Sequence, residues 1–202
     1  MALFKPKKTE GSFDSSKFYG VCPMGIVGYQ DRADNYDWAD ILLDAEVQLK
    51  DSDYTKKLTI KGTFERGDDG KIVGGSVLNR LYKFFESIGC TAGVNVEGKW
   101  ETDDGKEIKD ISQYLSDNHL SSVIPGTLVR YDYVGYVYRE QNKTNKQIYT
   151  RVYHRLWPND DKGIAELTSH IAWMRERGFL KEYVENTANG TTKLQGEGVL
   201  NL

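Results

Sequence analysis

The sequence lacks long apolar runs, and this absence limits where the protein can reside. Its apolar stretches are only a few residues long, far below the roughly 20 residues that cross a bilayer. The first residues, MALFKPKK, also lack the apolar core of a secretion signal. We therefore expect a soluble cytoplasmic protein with no membrane partner.

Cysteine and histidine are scarce and show no metal-binding spacing. Cys22 and Cys90 stand far apart, which favours buried apolar roles over a disulfide or a metal site. His119, His154 and His170 are equally scattered, and the chain contains no GxxxxGK[ST] motif, so neither a zinc site nor a phosphate-binding loop is indicated. We expect no metal, no cofactor and no catalytic residues.

The chain also lacks a strong excess of one charge. Its formal net charge is −3, whereas proteins that coat duplex DNA through bulk charge usually have a large basic excess. Positive charge is concentrated instead in residues 127–157, where six lysine and arginine residues stand against two acidic residues. This pattern argues against a duplex-coating protein and permits a local cationic groove.

With four prolines against 20 glycines and 13 tyrosines, the composition favours a β-rich chain with tight turns. Apolar and polar residues alternate through residues 41–49 and again through residues 57–64, which predicts an antiparallel hairpin. Residues 21–29, interrupted by Pro23 and Gly25, predict a short edge strand.

Helical spacing of apolar residues predicts two main helices. The first covers residues 77–88, with Ser76 as its cap and Gly89 in the left-handed conformation after its end. The second begins near residues 160–161 and ends near Gly178.

The order of these segments predicts one domain over residues 21–184, between a flexible arm at 1–20 and a flexible tail at 185–202. Several strands with helices inserted between them predict a mainly β fold of the α+β class. We expect an OB-like antiparallel barrel, or a curved sheet, with two main helices. A short amphipathic segment is predicted at 108–115, and a short strand or docked segment at 179–184.

Residues 127–157 combine rings and cations on what the pattern predicts to be one β-hairpin. From Ile148 onward, a period of two places Tyr149, Arg151, Tyr153, Arg155 and Trp157 on one face, and Ile148, Thr150, Val152, His154 and Leu156 on the other. The second face is typical of a core. Because bases stack on rings with roughly 1–3 kcal/mol each and phosphates attract cations, the first face suits a strand of unpaired nucleotides. An ordinary sheet exposed on one side has a similar pattern, so that alternative stays open.

The chain contains, in this order, the segments DWADILLDAEVQLKDSDYTKKLTIKGTF, RLYKFFESIG and IYTRVYHRLW. In order and character these segments resemble small bacteriophage replication proteins that bind single-stranded DNA on an OB fold. The resemblance implies sequence-tolerant binding of unpaired DNA, protection of replication or recombination intermediates, and no catalysis. We further expect replication or recombination proteins and a second copy of the chain as candidate partners, in the cytoplasm of a host cell.

The expected binding residues combine rings that stack bases with cations that contact phosphates. The rings are Tyr131, Tyr133, Tyr136, Tyr138, Tyr149, Tyr153, Trp157 and Trp100, and the cations are Arg130, Arg139, Lys143, Lys146, Arg151, Arg155, Lys57 and Lys61.

Two other functions remain open. Tyr, Trp and Arg are also enriched at protein interfaces, so the Tyr-rich hairpin equally suits a structural or protein-interaction role. Asp40, Asp44 and Glu46 share one face of the first long predicted strand, as the Mg²⁺-binding carboxylates of a nuclease do. Lys57 and Lys61 on the next strand would pair with these acids across the sheet, which favours a structural role for them.

Overall fold

Twelve β-strands and three α-helices form in residues 19–52, 54–124 and 128–183, which are the residues that the computed structural model describes. The strands are β1 (Gly20–Asp31), β2 (Ile41–Leu49), β3 (Thr55–Gly62), β4 (Glu65–Arg66), β5 (Ile72–Gly74), β6 (Gly93–Val94), β7 (Trp100–Glu101), β8 (Ser122–Ile124), β9 (Leu128–Val129), β10 (Tyr133–Gln141), β11 (Ile148–Val152) and β12 (Trp157–Pro158). The helices are α1 (Ser76–Ser87), α2 (Ile111–Asn118) and α3 (Asp161–Glu176), and a 3₁₀ helix spans Ala33–Asn35. The predicted flexible arm and tail lie outside the described residues, apart from Tyr19 and Gly20 at the end of the arm.

One antiparallel sheet in the order β11-β10-β1-β2-β3 forms the centre of the fold, and β12 also pairs with β10. The predicted hairpin is confirmed, because β2 and β3 pair from Ile41 opposite Gly62 to Gln48 opposite Thr55. The remaining strands of the described residues form three small two-stranded pairs around this sheet.

The prediction of a short edge strand near residue 21 is wrong, since β1 is the long central strand of the sheet. Pro23 has no N–H to donate, but its carbonyl oxygen accepts a hydrogen bond from the Lys50 N–H at 3.0 Å. Gly25 permits close packing, because an added Cβ would lie 2.2 Å from the Arg130 carbonyl oxygen. Pro23 and Gly25 are therefore both accommodated inside a long strand, although the sequence pattern treats them as strand breaks.

The main core lies between one face of the sheet and helices α1 and α2. Leu81, Phe84 and Phe85 of α1 are buried in it together with the inward residues of β1, β2 and β3. Each such side chain removed from water contributes about 1.5–3 kcal/mol. The first predicted helix is confirmed, although its cap is Gly75 rather than Ser76, and Gly89 has the predicted left-handed conformation, with φ of 67°.

A second, smaller core lies on the opposite face of the sheet, beneath α3. This helix is confirmed as predicted, and its cap is Asp160, whose carboxylate accepts a hydrogen bond from the Gly163 N–H at 2.7 Å. The second core consists of Val134, Tyr136, Tyr153, Trp157, Leu167, Ile171 and Leu180. Leu180 shows that the predicted segment after α3 is docked, and it forms no strand over residues 179–183.

The main sheet is strongly curved and open, so the predicted α+β class is confirmed with a curved sheet rather than a closed barrel. Its two edge strands, β3 and β11, approach each other with Cα atoms within 8 Å, yet no ladder of hydrogen bonds joins them in the described part of the chain. We call the gap bordered by β3 and β11 the seam. Both predicted main helices are present, and a short third helix, α2, overlaps the amphipathic segment predicted at 108–115.

Candidate nucleic-acid interface

The strand predicted to run from Ile148 to Trp157 is interrupted. β11 ends at Val152, residues 153–156 form a loop, and β12 begins at Trp157. Both short strands pair with the same edge of β10, with Val137 opposite Val152 and Val134 opposite Trp157. The strand is therefore interrupted, yet the two predicted faces persist, because Val152 and Leu156 lie in the main core whereas Tyr153 and Trp157 lie in the second core.

Three rings that were expected to stack bases are buried beneath α3, so that prediction is wrong for them. Tyr136, Tyr153 and Trp157 retain only 5%, 6% and 4% of their exposure. The cause is the apolar face of α3, whose Leu167 and Ile171 cover these rings and thereby leave water themselves.

Hydrogen bonds fix the buried hydroxyl groups in this second core. The Tyr153 hydroxyl lies 2.9 Å from Nε2 of His170, and the Tyr136 hydroxyl donates to Oε1 of Glu182 at 2.6 Å. The Arg175 guanidinium also donates to the Tyr136 hydroxyl. Burial, with the neighbouring Glu182 carboxylate, raises the pKa of Tyr136 above its ordinary value. Tyr136 and Tyr153 thus have structural partners already.

Three further predicted rings are half-buried against the two cores, so a base could reach only the exposed part of each ring. Tyr133 and Trp100 pack against the main core, and the Trp100 ring lies 6.0 Å from the Phe85 ring. Tyr138 packs against the second core, where burial raises its pKa to about 12. The part of each ring that leaves water on packing against a core stabilises the fold.

Tyr149 and Arg151 remain half-exposed on the outer face of β11. They pair with Glu140 and Tyr138 of β10, and the Arg151 guanidinium lies 5.0 Å from the centre of the Tyr149 ring. The Nε of Arg151 also contacts Oε2 of Glu140 at 3.2 Å. On β11, this ring and cation pair is the part of the predicted face that the structure leaves accessible.

Arg139 lies on the other face of the same hairpin. It pairs with Thr150, and successive residues of a strand point to opposite faces, so this pair points away from the face that carries Tyr149 and Arg151. Its guanidinium lies 4.7 Å from the centre of the Tyr19 ring, and Tyr19 shares a hydrogen bond of 3.4 Å with Thr150. Arg139 and Arg151 therefore cannot both contact a ligand on one face of the hairpin.

Lys143 and Lys146 are exposed at the tip of the β10–β11 hairpin. The tip is held by Asn142, whose side-chain oxygen accepts from the Thr144 N–H at 2.8 Å and whose carbonyl accepts from the Lys146 N–H at 3.0 Å. Arg130 is exposed elsewhere and pairs with Asp132 at 3.3 Å, while Tyr131 is half-buried. These four predicted residues do not line a shared groove with the buried rings.

Lys57 and Lys61 are exposed on the outer face of β3, across the seam from β11. Asp44 on the neighbouring strand is buried, with 2% exposure, and contacts Nη2 of Arg32 at 2.6 Å and Nζ of Lys57 at 3.5 Å. The Thr59 hydroxyl donates to the same carboxylate at 2.6 Å. Asp44 thus acts as the centre of an ion-pair cluster.

The other carboxylates of the suggested nuclease strand also have partners. Asp40 contacts Nη2 of Arg66 at 2.8 Å, and Glu46 accepts a hydrogen bond from the Thr55 hydroxyl at 2.6 Å. Within the described ranges, no three His, Cys, Asp or Glu side chains come close enough together to hold a metal ion.

Arg155 borders an open pocket of about 420 Å³ between the loop after β11 and α3. The lining residues are Arg155, Trp157, Ala165, Glu166, Ser169 and His170. The Arg155 guanidinium lies 4.8 Å from the centre of the Trp157 ring and makes no ion pair or hydrogen bond with the described residues. Its N–H donors are therefore available to an anion at the edge of the pocket.

Two histidines beside this pocket are held in the neutral form. Burial, with the nearby positive charges of Arg80 and Lys83, lowers the pKa of His154 to about 4. Burial and Arg155 likewise lower the pKa of His170. At neutral pH the positive charge here comes from arginine and lysine, because neither histidine is protonated.

Sequence reasoning missed Tyr36 and Trp38, which lie in the loop between β1 and β2 and are among the most exposed rings of the described residues. The loop appears in the sequence as a polar turn. The available signal was the presence of two rings within that turn, because turns seldom need large apolar side chains.

Comparison of the chain with protein-family models, with curated proteins and with solved structures finds no match. None of the helices in the described ranges combines the length and the apolar character that crossing a membrane requires. The function is therefore inferred from the residues of the site alone.

Proposed function

We propose that the protein binds single-stranded DNA along the seam, with little sequence preference and without catalysis. The observation that supports this proposal is the approach of two edge strands that no ladder of hydrogen bonds joins in the described residues, and that carry a ring and cations on their outer faces. Tyr149 and Arg151 lie on β11, and Lys57 and Lys61 lie on β3. A nucleotide strand in this position meets a stacking ring on one side and ammonium groups on the other.

The two borders of the seam run in the same direction, because four antiparallel pairings separate β11 from β3. At one end, the Tyr19 hydroxyl shares a hydrogen bond of 3.4 Å with Thr150 of β11, and the charge of Lys56 on β3 acts on the same tyrosine. At the other end, Nη2 of Arg80 donates to the Lys61 carbonyl at 3.3 Å, and the Arg80 charge acts on His154. From this alignment we infer that Lys57 lies near the level of Tyr149 and Arg151, and Lys61 near the level of the Arg155 pocket.

The proposed interface is smaller than the one that the sequence suggests. Tyr149 supplies the ring, worth roughly 1–3 kcal/mol for one stacked base. Arg151, Lys57, Lys61 and Arg155 supply phosphate contacts whose strength falls as salt rises. We propose protection of replication or recombination intermediates in the cytoplasm as the role, with replication or recombination proteins as further partners.

Titration of labelled oligo-dT by fluorescence anisotropy, at about 50 mM and about 200 mM salt, tests the proposal. We expect binding that weakens at the higher salt, with a slope of log K against log salt of about −0.7 for each phosphate contacted. Oligo-U in parallel shows whether the site prefers DNA. Absence of binding to either oligonucleotide at the lower salt would contradict the proposal.

The location is tested by Arg151→Ala and Lys57→Ala, with Lys106→Ala as the matched control. Lys106 is an exposed lysine that pairs with Asp104 at 2.8 Å in a turn after β7. We expect each seam variant to weaken binding and the control to leave it unchanged. Equal effects of all three variants would show general charge attraction rather than a site at the seam.

A protein-interaction role is the second candidate, and one observation favours it. Trp173 and Phe179 at the end of α3 are both exposed, and their rings lie 5.6 Å apart. Exposed rings of this kind are enriched in interface centres. If this surface joins two copies of the chain, light scattering coupled to size exclusion will show a dimer that Phe179→Ser converts to a monomer.

A further inference from the structure

Tyr36 and Trp38 form an exposed ring pair in the loop between β1 and β2. Tyr36 is 40% exposed and Trp38 is 52% exposed, with ring centres 5.7 Å apart. The ammonium nitrogen of Lys61 lies 5.9 Å from the centre of the Trp38 ring. Two large rings and a cation thus meet solvent together.

The loop that holds these rings is braced by backbone hydrogen bonds. The Tyr36 N–H donates to the Ala33 carbonyl at 2.9 Å, and the Ala39 N–H donates to the Tyr36 carbonyl at 3.2 Å. The Asp40 N–H donates to the Gly62 carbonyl at 3.0 Å, and the Asp40 carboxylate accepts from the Phe64 N–H at 2.8 Å. The ring pair is therefore attached to the end of β3 and is positioned before any ligand arrives.

The ring pair lies at the Lys61 end of the seam. Lys61 connects the ring pair to the seam. Its ammonium group lies over the Trp38 ring, and its carbonyl oxygen accepts a hydrogen bond from Arg80. Arg80 in turn acts on His154, next to Arg155. Arg155, Arg80 and Lys61 thus form a row of positive charges between the seam and the ring pair.

We propose that Tyr36 and Trp38 form a second base-stacking platform, which extends the single-stranded DNA site beyond the Lys61 end of the seam. This inference rests on the proposed function and specifies the path that the DNA takes across the protein. Asp34 and Asp37 are exposed in the same loop, so they repel phosphates on their side. The base stacks on Trp38, and its phosphate lies on the side of Lys61 and Arg80.

The platform predicts a dependence on oligonucleotide length. An oligo-dT that is long enough to pass from Tyr149 to Trp38 gains a stacked base that a shorter one lacks. In a series from about 4 to about 16 nucleotides, we expect Trp38→Ala to leave the affinity for the shortest bound members unchanged. For the longest members, we expect it to weaken affinity about 5- to 100-fold.

Trp173 provides a matched control, because it is another exposed indole with a cation nearby, Arg177 at 5.7 Å. We expect Trp173→Ala to leave the affinity for every length unchanged. Long oligo-dT should quench the tryptophan fluorescence of the Trp173→Phe variant as strongly as that of the wild type, and quenching should be largely lost in Trp38→Phe. Lys61→Ala should reduce the salt slope, whereas Trp38→Ala should leave it unchanged.

The outcomes separate the platform from the proposed function. If the wild type binds oligo-dT and Arg151→Ala weakens binding while Trp38→Ala changes neither affinity nor quenching, the platform is wrong and the seam stands. If the wild type binds no oligonucleotide, the proposed function fails. If circular dichroism shows that Trp38→Ala unfolds the chain, the platform is tested by quenching in the two phenylalanine variants. Equal quenching in Trp38→Phe and Trp173→Phe would then contradict the platform.

Discussion

The guanidinium of Arg155 lies over the indole of Trp157, 4.8 Å from the ring centre, and it makes no ion pair or hydrogen bond with the described residues. The indole itself is buried beneath α3. One residue of the pair therefore belongs to the core, while the other presents its donors to the pocket. This division of roles separates the variants that should change folding from those that should change binding.

Replacement of Arg155 by alanine should weaken oligo-dT binding about 3- to 10-fold and reduce the salt slope by about 0.7, since one phosphate contact is lost. Arg177→Ala is the control, because Arg177 stacks on Trp173 in the same manner but lies outside the pocket. Anisotropy titrations at several salt concentrations measure both quantities. An equal loss in the two variants would argue against a phosphate contact at Arg155.

Replacement of Trp157 by alanine should lower the free energy of unfolding by about 3–5 kcal/mol, because it leaves a cavity in the second core. Trp173→Ala removes an exposed indole and should cost less than about 1 kcal/mol. Urea denaturation followed by circular dichroism measures the free energy of unfolding of both variants. Similar stabilities for the two variants would show that α3 does not pack as described.

Replacement of Asp44 by asparagine should lower the free energy of unfolding by about 2 kcal/mol. The change leaves Arg32 and Lys57 without their shared carboxylate, and the cost stays moderate because both cations are partly exposed to solvent. Denaturant titration at low and high salt provides the measurement. A variant as stable as the wild type, with lost Mg²⁺-dependent digestion of DNA, would revive the nuclease interpretation.

Stability should decrease in mild acid because of His154. Its pKa is about 4 in the folded protein and about 6.5 in an unfolded chain, so the unfolded state binds the proton first as pH falls. The contribution is fully present above pH 6.5 and is lost as pH falls to 4, by up to about 3 kcal/mol. His154→Gln should show a smaller loss between pH 7.5 and pH 4.5 in urea denaturation. An identical loss in variant and wild type would assign the effect to other groups.

The elements with a clean period were predictable from the sequence. The alternation in β2 and β3 and the helical spacing in α1 and α3 each reflect one apolar face, which a local pattern records directly. The same reasoning identified Tyr149 and Arg151 as accessible neighbours on one face of β11.

The covering of the ring face by α3 was not predictable in the same way. Alternation shows which residues share a face, but it does not show which face another element will cover. Tyr136, Tyr153 and Trp157 read equally well as a binding surface or as partners for Leu167 and Ile171. The end of β11 at Val152 and the meeting of β3 with β11 likewise depend on tertiary packing, which no short window of sequence contains.

The gap between β3 and β11 distinguishes this sheet from a closed barrel. In a closed barrel, any widening breaks backbone hydrogen bonds, whereas here no ladder joins the two borders in the described residues. Among the described residues, separating β3 from β11 would therefore break no backbone hydrogen bond between these two strands. Each border also shields the other from strands of foreign chains, and the lysines of β3 add charge against such pairing.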